Sequence, residues 1–385
     1  VADTPDEEHF ETQAIHAGRD YLNDTGAVIP PVYLTSTFEY GNPGGFDYTR
    51  SGNPNFRNLQ NALAKLEKAE FCTVFGSGVA AITAVVSTLK SGDRVLAEEN
   101  IYGCTFRLFA QVFAKFGVEI EYVDFTDPKS LKLIGERNPA LVWIETPTNP
   151  SLKVIDIAKV SEAAHDAGST VIVDNTFASS YLQQPIALGA DLSLLSTTKY
   201  SNGHSDVLGG AVCTNSEEWN DKMLFAQKAL GLQPSAFDSW LISRGIKTEA
   251  VRMDRHGENA LKFATFLEEE TPAKNVRYPF LKSHPQYKLA RKQMKNGSGI
   301  VTADMGLSLK KTQKLLETLH YFPKAESLGG IESLCCHPAS MTHASVPKEV
   351  RLKVGITDSL VRFSVGIENI EDLIDDLKQA LEKVC

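Results

Sequence analysis

From about residue 60 the chain alternates between two periodicities. Short apolar runs at Phe71–Phe75, Arg94–Ala97, Val118–Val123, Ala140–Glu145, Thr170–Asp174, Asp191–Ser196 and Val207–Cys213 read as strands. Several, such as Val171-Ile172-Val173, lack polar residues at alternate positions, the pattern of strands buried on both faces of a parallel sheet. Helical patterns lie between them. Thr105–Phe116 places Phe106, Phe109, Val112, Phe113 and Phe116 on one stripe, and Gly117 follows as a stop. Asp127-Pro128 joins a capping residue to a proline suited to the first helical turn. Another helix is predicted over Val79–Lys90, after Gly76-Ser77-Gly78. The alternation predicts an α/β domain with a mostly parallel central sheet and helices on both faces.

The flanking regions read differently. Residues 1–50 look extended, with Pro30-Pro31, Thr35-Ser36-Thr37 and Asn42-Pro43-Gly44-Gly45, as in segments that wrap a neighbour. After about residue 245 the alternation ends. A helix over Val251–Glu269, strands at Gly299–Met305 and Leu360–Val365, and helices at Lys311–His320 and Ile370–Val384 predict a smaller α+β unit. The expected organisation is an extended N-terminal segment over 1–55, a large α/β domain over 56–245 and a C-terminal α+β domain over 246–385.

Composition removes several classes of function. The 385 residues carry a net charge of −9 with no Lys/Arg cluster, which argues against a nucleic-acid partner. Any anion must therefore be bound by a local pocket. Aromatic residues at 9% argue against disorder. No apolar run approaches the ~18 residues of a membrane span, and the acidic Val1–Glu8 start is unlike a secretion signal. The 6 cysteines form neither CxxC pairs nor zinc-type spacing, so no metal site is expected, and a reducing compartment, the cytoplasm, is.

Chemistry concentrates at strand ends. Gly76-Ser77-Gly78 follows a strand and opens a helix, where backbone N–H groups can approach an anion. It matches neither a dinucleotide fingerprint nor a Walker loop, which argues against a nicotinamide oxidoreductase. Asp174 and Lys199 each follow an apolar run and fall at the carboxyl edge of the sheet, where open α/β sheets bind ligands. A lysine able to condense with a carbonyl, an aspartate for a pyridinium nitrogen and a phosphate cradle together suit pyridoxal phosphate, PLP. Each alone is equally compatible with a structural turn, a surface lysine and a capping aspartate.

Longer motifs carry a resemblance. Ser196-Thr197-Thr198-Lys199-Tyr200-Ser201-Asn202-Gly203-His204-Ser205-Asp206 resembles the PLP-lysine signature of the cysteine/methionine-metabolism enzymes. Tyr48–Pro54, Trp143–Pro150, Val173–Phe177 and Ser327–Ser333 resemble its companions, in order and over nearly the whole chain. The resemblance implies an aspartate-aminotransferase-like, fold type I architecture and PLP as cofactor. It implies that Lys199 holds PLP and shuttles protons, Asp174 pairs with the ring nitrogen, Tyr102 stacks on the ring and Asn149 meets its phenolic oxygen. Gly78, Val79, Ser196 and Thr198 would bind the phosphate, joined by Tyr48 and Arg50 from a neighbouring subunit of a homotetramer built from active-site-sharing dimers. Arg362 would clamp the substrate carboxylate.

Relatives share this scaffold and differ in reaction, so the distal pocket decides. Glu332, with Ser333 beside it, is expected to face the distal part of the substrate, and Arg107 to bind a distal carboxylate or hold Glu332. Both suit cystathionine, whereas Cys104 matches relatives that cleave methionine. The resemblance implies γ-elimination of cystathionine to cysteine, 2-oxobutyrate and ammonia, with hydrogen sulfide as a side product. γ-Elimination of methionine and γ-replacement that forms cystathionine stay open, as does a non-catalytic scaffold.

Overall fold

Seven strands pair into one sheet in the order β1-β7-β6-β5-β4-β2-β3. They are β1 (Phe71–Phe75), β2 (Arg94–Glu98), β3 (Glu119–Val123), β4 (Leu141–Glu145), β5 (Thr170–Asp174), β6 (Leu192–Leu195) and β7 (Gly210–Thr214). The structure is a computed structural model and describes residues 8–18, 26–344 and 347–384. The acidic start as far as Glu7, and Cys385, lie outside the described residues. β2 to β6 are mutually parallel, whereas β7 runs antiparallel to both its neighbours. The run expected at Val207–Cys213 thus forms its strand three residues later and reversed. The link from β6 to β7 contains no helix, so the chain returns alongside β6 rather than crossing over it.

Alternate residues of each central strand enter different cores, which explains the missing polar alternation. Trp143, Ile172 and Leu194 lie on one face, where Phe109 meets Trp143 edge-on at 5.3 Å. Val142, Ile144, Val171 and Val173 lie on the other. The expected Thr105–Phe116 helix is divided into a helix Gly103–Gln111 and a 3₁₀ turn Phe113–Phe116 that ends at left-handed Gly117. Asp127 caps Pro128–Arg137 as predicted, its side chain accepting the N–H of Lys129 at 2.9 Å.

A second, antiparallel sheet has the order β10-β11-β9-β8, with β8 (Lys274–Arg277), β9 (Ile300–Asp304), β10 (Leu334–Cys336) and β11 (Leu360–Ser364). Phe263, Phe322 and Phe363 form its aromatic centre beneath helices Glu249–Glu270 and Ile370–Val384. β8 and β10 carry little sequence signal, one being polar and partly exposed and the other three residues long. The N-terminal region is not wholly extended. Helix Phe10–His16 sets Phe10 against Tyr181 at 5.0 Å, and Asn53-Pro54 starts a helix over Pro54–Leu66. Among the described residues no helix is long and apolar enough to cross a membrane.

Candidate active site

β1, β2, β4, β5 and β6 end on the same edge of the large sheet, and the segments leaving them enclose a cavity of about 180 Å³. After β1 the chain enters helix Gly78–Val86 through Ser77, whose hydroxyl caps the N–H of Ala80 at 3.0 Å. Gly78 packs so closely on the end of β6 that a β-carbon there would lie 2.8 Å from Ser196 Cβ. This brings the free N–H end of the helix beside the hydroxyls of Ser196 and Thr198.

Lys199 follows β6, and its Nζ donates to Ser327 Oγ at 2.8 Å. Burial and then the charge of Arg362 lower its pKa to about 8, against the opposing effect of Glu326. Asp174 ends β5, with Oδ1 accepting the Thr176 N–H at 3.0 Å. Burial raises its pKa. Tyr102 lies just before helix Gly103–Gln111. Burial, and next a hydrogen bond to Cys104, hold its phenol above the ordinary range, so the hydroxyl keeps its proton.

Arg362 reaches the cavity from β11 of the other sheet. Its neighbours Val361 and Phe363 point into the small core, so the alternation of the strand sends Arg362 the opposite way. Nη1 donates to Asn149 Oδ1 at 3.0 Å and Nη2 to the Ser327 carbonyl at 2.8 Å. Nε is buried without a partner among the described residues. A guanidinium so placed still has a donor to give to a carboxylate.

Five sequence-predicted residues are absent from the lining of this cavity. Glu332 bonds Ser205 instead. Ser333 is turned to Glu368, its Oγ donating to the carboxylate at 3.0 Å. Glu332 and Ser333, expected at the distal part of the substrate, thus lie outside this lining, whereas Glu326 lies within it. The reason is backbone geometry: left-handed Ser327 and Gly329 turn the chain between the two glutamates. Arg107 donates from Nη2 to Cys104 Sγ at 2.7 Å, beside Tyr102 rather than in the cavity wall. Tyr48 is half-exposed, with Arg50 over its ring at 5.6 Å, and Arg50 donates to the Lys228 carbonyl at 3.2 Å. Glu145, Thr176 and Ser327 line the cavity although the sequence singled them out for no role.

The donor set suits PLP. A helix N-terminus with two hydroxyls suits a phosphate, a buried amine depressed to about 8 suits an aldehyde, and a buried carboxylate suits a pyridinium N–H. Fold and site define a PLP-dependent enzyme of the aspartate-aminotransferase-like, fold type I class. The chain belongs to the family described as Cys/Met metabolism PLP-dependent enzyme, which it matches over residues 11–382. It is 47% identical over 380 residues to a cystathionine gamma-lyase of Bos taurus, covering 97% of this chain and 94% of that one. It is 46% identical over 377 residues to a cystathionine beta-lyase of Lactococcus lactis subsp. cremoris, covering 97% and 99%. A crystal structure of cystathionine gamma synthase from Xanthomonas oryzae pv. oryzae, in complex with cystathionine, superimposes with a TM-score of 0.95 at 41% identity, covering 99% of each chain.

Proposed function

We propose that this enzyme catalyses γ-elimination of L-cystathionine to L-cysteine, 2-oxobutyrate and ammonia. The observation that carries the reading is the cavity itself. It gathers a buried amine, Lys199, a guanidinium with a free donor, Arg362, and the carboxylate of Glu326, and the charges of the latter two act on the amine. An amino acid with a carboxylate at one end and an ammonium at the other fits that polarity. The bovine relative, a cystathionine gamma-lyase, supports the choice of reaction.

PLP, when bound, supplies an electron-accepting ring that stabilises negative charge at the substrate's α-carbon. The amine of Lys199 takes the α-proton and later serves as the shuttle at the β-carbon. Ser327, bonded to Nζ, holds that amine in place. Arg362 fixes the α-carboxylate, and Glu326 meets the distal ammonium. Tyr102, which keeps its proton, would donate it to the departing sulfur. Asp174 would hold the ring nitrogen, Asn149 the phenolic oxygen, and Gly78, Val79, Ser196 and Thr198 the phosphate.

We further propose a homotetramer of active-site-sharing dimers in which Tyr48 and Arg50 serve the neighbouring cavity, a cytoplasmic location, and hydrogen sulfide as a side product. The large domain then spans 56–245 and the small one 246–385, with 1–55 as the intersubunit segment. Product analysis tests the reaction. Cystathionine should yield 2-oxobutyrate and cysteine. Pyruvate and homocysteine would instead mark β-elimination, and cystathionine made from cysteine and an activated homoserine would mark γ-replacement.

A further inference from the structure

Glu145 ends β4 buried, and its carboxylate has backbone partners on two different loops. Oε2 accepts the N–H of Tyr102 at 2.8 Å, and Oε1 accepts the N–H of Asn149 at 2.8 Å. Tyr102 has no side-chain cap where it enters its helix, and Asn149 receives Arg362 through Oδ1. One side chain thus ties the backbone of Tyr102 to that of Asn149, whose side chain orients the guanidinium.

We propose that Glu145 is a positioning residue that sets the gap between Tyr102 and the Asn149–Arg362 pair. It thereby fixes the tilt of the cofactor ring and the aim of Arg362. The inference rests on the reading of this cavity as the PLP site. Only a carboxylate can do this. Both partners are donors, and a carboxylate offers two acceptor oxygens in one plane. Glutamine offers one, and its amide N–H₂ would confront the second backbone N–H. Because a buried N–H without an acceptor is strongly disfavoured, the Gln variant must let go of either Tyr102 or Asn149. Glu145 also lies in register with Asp174 on the adjacent strand, so the two carboxylates end neighbouring strands at one sheet edge, Glu145 held by the two loops and Asp174 by the Thr176 N–H.

The test compares full-length wild type, Glu145→Gln and Glu145→Asp, each loaded with PLP. The readouts are visible circular dichroism per bound cofactor, PLP affinity, KM and kcat for cystathionine, and the thermal midpoint of the apoenzymes. The Gln variant is expected to change the visible dichroism, to weaken PLP binding about tenfold and to raise KM about tenfold, roughly 1.4 kcal/mol each. Asp keeps both acceptors on a shorter stem and should restore part of the dichroism. A Gln variant with native dichroism and KM but a lower thermal midpoint would mean that Glu145 only satisfies two buried donors, and would overturn the proposal. Should the Gln variant not fold, the Asp variant decides: dichroism and KM displaced together support the bridge, and native dichroism and KM with only a lower thermal midpoint overturn it. Lys199→Ala reports on the cofactor reading separately. If PLP is taken up equally well without Lys199, the reading of the cavity falls and the inference falls with it. If only the Glu145 variants behave like wild type, the reading stands and the inference alone fails.

Discussion

Arg362 Nη1 donates to Asn149 Oδ1 at 3.0 Å, joining β11 of the small sheet to the loop that follows β4 of the large one. The bond crosses between the two sheets at the cavity, so the guanidinium is aligned by a side chain of the other domain. With Nη2 also engaged on the Ser327 carbonyl, the fork is preorganised and its buried Nε remains available.

Replacing Arg362 by Lys keeps the charge and removes the fork. Lysine has a point charge on a flexible stem and cannot hold Asn149, Ser327 and a carboxylate at once. The expected loss is about 3 kcal/mol in kcat/KM, roughly 150-fold. Steady-state kinetics should show most of it in KM. A variant within about threefold of wild type would remove Arg362 from the substrate site.

Lys199 predicts a pH dependence whose sign is fixed by its neighbours. A protonated amine cannot attack an aldehyde, and the pKa of Lys199 lies near 8, lowered by burial first and Arg362 second. Capture of PLP by the apoenzyme should therefore speed up as pH rises through about 8 and level off above it. Glu326→Gln removes an anion that favours the charged amine, so its inflection should move down. Stopped-flow capture rates across pH check both statements. An unmoved or raised inflection in the variant would place Glu326 away from the amine.

Much of this arrangement is legible before any coordinates. Asp174 and Lys199 could be placed on one sheet edge because the runs before them are buried on both faces and cannot be mistaken for surface strands. The reversal of β7 could not, since an apolar run carries no direction. Which glutamate lines the cavity is hidden from the sequence for a related reason. Glu326 and Glu332 are both glutamates near Gly329-Gly330, and only the left-handed backbone at Ser327 and Gly329 decides which enters the cavity. Glu145 lay within a recognised motif, but its role depends on backbone N–H groups from two loops, which residue identities do not reveal.

Substrate choice separates the two glutamates. Glu326→Gln should lower the ratio of kcat/KM for cystathionine over methionine by about tenfold, close to 1.4 kcal/mol, because it removes the charge that meets a distal ammonium. Glu332→Gln should leave that ratio within about twofold, its carboxylate being engaged with Ser205. Release of 2-oxobutyrate from each substrate measures both. A large effect from Glu332 with none from Glu326 would give the distal role to Glu332.

Tyr48 and Arg50 give a prediction about assembly. Within one chain both lie outside the cavity, Arg50 resting on the Lys228 carbonyl and Tyr48 half-exposed. If they serve the phosphate of a neighbouring subunit, each active site draws on two chains. Arg50→Ala loses a charge-assisted contact worth about 2 kcal/mol, so its cofactor affinity should fall roughly thirtyfold. Lys199→Ala should be inactive because its own cavity lacks the amine. When the two variants are dissociated, mixed and reassembled at limiting PLP, a hybrid dimer contains one cavity with both defects and one with neither. Activity should therefore reappear in the mixture, in proportion to the hybrid fraction resolved by native mass spectrometry. If Arg50 acts within its own chain, every cavity carries a defect, and mixing restores nothing.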